Sequence, residues 1–353
     1  MSILNFFRQI CIDSTSVGRI AACFLVMTSL TTSGQDASPP SPSPDLPPNP
    51  ATGPITRGQR VFMCGHSYHA HVPPLLTEIA QSAGFKDHVL IGKFIIFGST
   101  VNKVWSVPDD KNQAKQALLA GNVDVLTLTP IYLPDPGIER FAQLALQHNP
   151  DIRVTVQEFW MTYDRDPKAP KSTTPQPTAS TPEAVDPAAV DATAINADTA
   201  AAKPVDPKAK SPTNHNAATI EMLRAIHQPY FDGMDQLVAG LNQKFGKQVL
   251  FVVPVGQAVI ALREKIIAGE APGLKTQSDL FTDSLGHPMV PLQVLVAYAH
   301  YAVIYRKSPI GLPVPQELLN AKLPGDVNAL NLLLQQLAWD AVIHHPLSGV
   351  TGP

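Results

Sequence analysis

Two short stretches of this chain hold residues whose types suit nucleophilic acyl transfer. The first is Arg60-Val61-Phe62-Met63-Cys64-Gly65-His66-Ser67-Tyr68-His69, an apolar run that breaks off in Gly-His-Ser. The second is Asp279-Leu280-Phe281-Thr282-Asp283-Ser284-Leu285-Gly286-His287-Pro288, just ahead of an apolar segment. A serine hydroxyl needs a base to attack at neutral pH; an imidazole suits the task, and a carboxylate can set its tautomer and orientation. Ser67 is the candidate nucleophile, His287 the candidate base and Asp283 the group that orients it. Gly65 is expected to let the chain turn sharply by taking backbone angles closed to other residues. Read singly, Ser67 is a turn serine and His287 a histidine at a helix entry. The functional reading therefore depends on elements that bring the two stretches to one edge.

The pattern around them supplies such elements. Strand-like runs at 60–64, 88–97, 123–129, 152–160 and 249–256 alternate with helix-like segments at 73–85, 110–120, 137–148, 216–245 and 258–269. Short β-rich runs separated by helices of about three turns, punctuated by Gly, Pro and Asn, indicate βαβ units and a largely parallel sheet. In such sheets ligands collect outside the carboxyl ends of the strands, where Ser67 falls. An apolar helix is expected at 291–305, too short for a membrane span and so read as a core helix, and an amphipathic one at 327–343.

With the motif, spacing and alternation together, the chain resembles the SGNH/GDSL hydrolases, whose first block is a Gly-Asp-Ser turn and whose last is Asp-x-x-His. The resemblance runs over roughly residues 60–305, with an interruption. It implies a flavodoxin-like, three-layer α/β/α fold and hydrolysis of esters, often acetyl groups on carbohydrates. Carried over by residue, Ser67 matches the nucleophile, His287 the base and Asp283 the triad carboxylate. The amides of Ser67 and of Gly98, in Phe97-Gly98-Ser99, match the oxyanion hole. This chain departs from the pattern in three places. His66 replaces the usual Asp, one extra residue separates Asp283 from His287, and Thr129-Pro130-Ile131 stands where Gly-x-Asn is expected. That asparagine donates to the oxyanion, and losing one such donor can cost about a hundredfold or more in rate. Thr129, Asn102 or another group takes its place, or the chain is a carbohydrate-binding or adhesion module on the same fold.

Other polar residues have plainer readings. His66, His69 and His71 lack a recognisable metal-ligand spacing, so no metal or cofactor is expected, and they are read as polar residues around a substrate mouth. Glu158, read as an exposed carboxylate at a strand end, is a candidate for a sugar hydroxyl. Trp105 is a candidate for stacking on a sugar ring or for packing over the loop. His344 and His345 read as solvated residues past the last helix.

Composition bounds the rest. The 353 residues carry 26 Lys and Arg against 29 Asp and Glu, with no basic stripe, which argues against a nucleic-acid partner. Residues 1–34 read as a secretory signal, with Arg8 and Arg19 ahead of the apolar run Ile20–Met27 and small residues at 31–34. Export to the periplasm or the outside follows, with an N-terminal membrane tether if the signal is not cleaved. Of three cysteines, Cys11 and Cys23 fall in that segment. Cys64 alone remains, so the mature chain is expected to have no internal disulfide. A Pro/Ser-rich tether is expected at 35–56 and a low-complexity insertion at 165–217, each too poor in apolar residues to offset its ordering entropy. They leave one α/β domain over 57–164 and 218–345, with a tail at 346–353. The expected partner is a small-molecule or polysaccharide ester, and the oligomeric state is not legible.

Overall fold

The computed structural model of this chain describes residues 53–164 and 214–352. The signal at 1–34, all but the last residues of the tether and all but the last of the insertion lie outside them.

Five parallel strands build the sheet: β1 (Arg60–Gly65), β2 (Val89–Ile95), β3 (Val125–Leu128), β4 (Arg153–Gln157) and β5 (Leu250–Val253). Their spatial order is β2-β1-β3-β4-β5. Every neighbouring pair is parallel, with Arg60 opposite Val89, Val61 opposite Val125, Val125 opposite Arg153 and Val154 opposite Leu250. The chain reverses direction across the sheet between β1 and β3. Their carboxyl ends therefore border the crevice in which open α/β sheets bind ligands. β3 is buried throughout and β4 beyond Arg153, because helices cover both faces.

Between β2 and β4 come α2 (Val101–Trp105), α3 (Gln113–Leu119) and α4 (Pro136–His148) on one face. The long α5 (Ile220–Phe245) extends that layer, tied to α4 by an ion pair between Lys244 and Glu139. On the other face lie α1 (Val72–Ser82) and α7 (Val290–Tyr305), which pack together. Fourteen of the sixteen residues of α7 are buried, so it needs cover on every side. The sheet and α1 cover one side; α9 (Val327–His344) and α6 (Val255–Ile267) cover the rest. Among the described residues no helix is long and apolar enough to cross a membrane.

The elements start and stop where local chemistry dictates. Prolines enter the first turn of α1, α4 and α7, where a missing N–H costs nothing. Asp135 caps α4 by accepting from Gly137 N at 2.9 Å, and α5 ends on Gly246 with φ +68°. Two five-residue helices, α2 and α8 (Gln316–Asn320), are too short for a periodic signal in the sequence. β4 stops at Gln157 rather than Trp160, and β5 at Val253, because Pro254 opens α6.

The flanks of the two low-complexity stretches differ from expectation. Ile55 donates its N–H to the Tyr305 carbonyl at 2.9 Å, and His215–Ala217 form a 3-10 turn with His215 buried. Both flanks therefore belong to the folded unit.

Candidate active site

β1 ends at Gly65, and the chain passes into a run of turns before α1. His69 N donates to the His66 carbonyl at 2.9 Å, and Val72 N to that of His69 at 3.1 Å. Ser67 sits half-exposed in that turn. Gly65 serves it differently from expectation. It does not take a positive φ. A Cβ there would lie 3.0 Å from both the His69 Cβ and the Thr129 hydroxyl, so Gly65 is needed for close approach.

The second stretch is a tight loop between a 3-10 turn (Gln277–Leu280) and α7. Phe281 and Pro288 pair across its base, and Thr282 N donates to the His287 carbonyl at 2.8 Å. The extra residue between Asp283 and His287 is taken up at Gly286, whose φ of +101° suits glycine alone. Two aromatic donors from the opposite side clamp the loop. Tyr68 OH donates to the Leu285 carbonyl at 2.6 Å and Trp160 Nε1 to that of Gly286 at 2.9 Å. Tyr68 stacks on Trp160 with ring centroids 4.5 Å apart and meets the His287 ring edge-on at 5.0 Å.

These supports place Ser67, His287 and Asp283 in one hydrogen-bonded chain. Ser67 Oγ is 2.9 Å from His287 Nε2, and His287 Nδ1 is 2.7 Å from Asp283 Oδ2. The other carboxylate oxygen accepts from the amides of Gly286 and His287 at 3.0 and 3.1 Å. Partial burial by itself would raise the Asp283 carboxyl. The His287 ring N–H and these amides outweigh it and hold the carboxyl at about 2. An ionised Asp283 keeps the proton on His287 Nδ1, which leaves Nε2 free to accept from the serine.

The backbone N–H groups of Ser67 and Gly98 donate to no carbonyl among the described residues. Gly98 sits exposed in a turn with φ +64°. Thr129 follows β3; it is 1% exposed and, among the described residues, its hydroxyl has no partner. It shares a small hollow with Gly65, Ser99 and Thr100. Asn102 is anchored at two points: its backbone N–H donates to Asp135 at 2.8 Å and its side-chain oxygen accepts from Arg140 at 2.9 Å.

Other candidates fall elsewhere than expected. His66 is 2% exposed; its Nδ1 accepts from Tyr68 N at 3.3 Å, so it shapes the turn from beneath rather than lining a mouth. Burial, reinforced by nearby His69 and His287, lowers it to about 3, so it stays neutral. His69 is buried as well, 2.9 Å from Gln157 Oε1 and 2.7 Å from Thr127 Oγ1, and Gln157 also meets His300 Nε2 at 2.8 Å. Trp105 packs edge-on against Phe141 at 5.0 Å under the Lys115 ammonium, which corrects the sugar-stacking reading. Glu158 is fully buried rather than exposed, and so cannot meet a sugar hydroxyl. His345 is buried rather than solvated, 3.4 Å from Glu158 and 3.3 Å from Asp235. Those three bring ligand-type atoms within 4.8 Å of one another. Leu347 N donates to His345 Nδ1 at 3.2 Å, however, which leaves the ring proton on Nε2, where a metal would bind.

One supporting group is absent from any motif. His215 Nε2 lies 3.2 Å from the Asp283 carbonyl, while its Nδ1 meets Asp164 Oδ2 at 2.9 Å. Arg263 grips the same Asp164 with two N–H groups at 2.6 and 2.9 Å. Asp164 and His215 bracket the low-complexity insertion, so no spacing rule could pair them.

A strand order of β2-β1-β3-β4-β5 between two helical layers makes this a flavodoxin-like α/β/α protein with a Ser-His-Asp chain at its switch point. No protein-family model matches the chain, and no curated protein matches it. Among solved structures it is similar to a DUF4886 family protein from Bacteroides uniformis, at 11% identity and TM-score 0.46 over 82% of this chain and 96% of that one. It is also similar to a protein named as a GDSL-like lipase from Parabacteroides merdae, at 10% identity and TM-score 0.39 over 70% of this chain and 95% of that one.

Proposed function

We propose that this protein is an exported serine hydrolase of the SGNH type that cleaves carboxylic esters, with O-acetyl groups on carbohydrates as its substrate class. The observation that carries the reading is the Ser67–His287–Asp283 chain at 2.9 and 2.7 Å. His287 takes the Ser67 proton as Oγ attacks the ester carbonyl. The amides of Ser67 and Gly98 receive the developing oxyanion, and His287 then protonates the leaving alcohol. Water, deprotonated by His287, attacks the acyl-serine, releases the acid and restores Ser67.

The substrate class rests on the family resemblance together with two exposed aromatic residues close in sequence to Gly98 and Thr129. Phe97, next to Gly98, is 75% exposed, and Tyr132, three residues past Thr129, is 55% exposed. Exposed aromatic faces flanking a polar crevice suit the apolar face of a sugar ring. Export rests on the N-terminal sequence alone.

The test is labelling with a fluorophosphonate and hydrolysis of p-nitrophenyl acetate. Wild type is expected to label and turn over, and Ser67→Ala to lose labelling with at least a ~10³-fold drop in rate. An unlabelled, inactive wild type sinks the enzyme and leaves the binding module. Phe97→Ala is expected to raise KM for an acetylated oligosaccharide several-fold while leaving p-nitrophenyl acetate unaffected; equal effects on both would remove the sugar.

A further inference from the structure

At the opposite edge of the sheet from Ser67, before the strands begin, an open cavity of about 960 Å³ carries an uncompensated positive charge. Arg57, Arg60, Arg153, Lys247 and Arg306 line it. The acidic side chains facing them are Asp124 and Asp151, which leaves an excess of three positive charges.

The acids balance the deeper cations only in part, Asp124 acting through space on Arg153. Asp124 is taken by Arg60, which donates to it at 2.8 and 3.1 Å, with Arg57 at 3.7 Å. Asp151 is exposed at the rim. Among the described residues, Arg153 donates hydrogen bonds to carbonyl-type oxygens, those of the Ile304 backbone and the Gln59 side chain, each at 2.8 Å. Arg306 is the outlier. It is 7% exposed, yet among the described residues its Nε and one terminal nitrogen have no hydrogen-bond partner. The nearest compensation is the Phe251 ring, 5.6 Å from the guanidinium carbon, which satisfies no N–H. Its backbone is left-handed, φ +51°, where α7 ends, a conformation uncommon for a long side chain.

Buried donors in folded proteins are almost always satisfied, and an unpaired buried charge is among the costliest features a fold can keep. A buried guanidinium with unsatisfied donors, facing a positively charged cavity, is what an anion site looks like before its anion arrives. We propose that this cavity binds a phosphate group, held by Arg306 and Arg153 with Lys247 and Arg57 nearer the rim. Guanidinium forks match phosphate oxygens two at a time, and a dianion answers the threefold excess better than a single carboxylate does. Burial first, then the neighbouring Arg306, lowers Arg153 to about 10, while burial lowers Arg306. A bound dianion between them would relieve that repulsion. The cavity is far larger than one phosphate ion, so a phosphate ester fits the same chemistry.

The test uses the full chain, titrated calorimetrically with inorganic phosphate, glucose 6-phosphate and succinate at matched ionic strength in sodium chloride. Thermal melts are recorded under the same conditions. Phosphate or its ester is expected to bind one equivalent and raise Tm by about 2–4 °C once well above its Kd. Tighter binding of the ester would identify an esterified ligand; tighter binding of the ion, free phosphate. Arg306→Met is expected to weaken phosphate binding at least about tenfold, yet to melt no lower than wild type without phosphate, because an uncompensated charge has gone. A merely structural arginine would instead lower Tm on removal. Should Arg306→Met fail to fold, Arg153→Met must show the same loss of affinity. Succinate binding as tightly as phosphate, phosphate raising Tm no more than chloride, or Arg306→Met binding phosphate unchanged would each overturn the assignment.

Discussion

On the proposed mechanism, Thr129 is the residue to test first, because it stands where the resembled family has a donor to the oxyanion. Its hydroxyl is buried, has no partner among the described residues, and crowds the position where Gly65 would carry a Cβ. A buried hydroxyl left unsatisfied costs stability, so a fold that keeps one has either a use for it or no way to lose it. Thr129→Val separates the two. If the hydroxyl donates to the oxyanion, kcat on p-nitrophenyl acetate falls about a hundredfold while Tm holds or rises. An unchanged kcat leaves the work to the amides of Ser67 and Gly98. Asn102 is the weaker alternative, since Asp135 and Arg140 already hold it.

At the scale of elements, the loop carrying Asp283 and His287 owes its shape to contacts with other parts of the fold. Tyr68 and Trp160 hold its carbonyls from one side, and His215, gripped by Asp164, holds the Asp283 carbonyl from the other. On the proposed mechanism, His215 would act as a positioning residue through Asp283. His215→Leu keeps the bulk against Phe281, whose ring centre is 4.3 Å away, and removes both polar contacts. The expected result is a kcat about tenfold lower with KM within about twofold, and partial recovery in His215→Gln. A change in KM alone would mean that the loop stays in place without His215 and that the substrate path has been disturbed instead.

For the whole molecule, acid stability follows from two carboxylates. Asp164 and Asp283 are both held at about 2. Burial acts against each, and the outweighing partners are His215 and Arg263 for Asp164 and His287 for Asp283. Because each folded value lies below the unfolded one near 3.8, the stabilisation is present above about pH 4 and is lost as pH falls toward 2. Melting curves between pH 5 and 2 are expected to show Tm falling most steeply in that window. Asp164→Asn should lower Tm at pH 7 and flatten the slope. An equally steep slope in the variant would place the acid sensitivity elsewhere.

Much of the fold was legible because it depends on local periods. The alternation of β-rich runs with amphipathic helices specifies a parallel sheet, and Gly-His-Ser after the first strand marks its carboxyl edge. The largely apolar 291–305 segment, too short for a membrane span, reads as a covered core helix. Ser67, Asp283 and His287 could be singled out because their side-chain types limit what they can do. Their meeting, however, was decided in three dimensions, by Gly286 and by the Tyr68 and Trp160 clamps, none of which a spacing pattern encodes. The same holds for the errors. Glu158 and His345 look like surface residues in a string of letters, yet the packing of α5, α6 and the C-terminal segment encloses them together. Gly65 reads as a hinge for the backbone, and only the approach of Thr129 and His69 shows that it is needed for space. Local sequence thus determined the elements and the reacting side chains; which polar groups are buried, and what faces them, is a property of long-range contacts that only the assembled layers create.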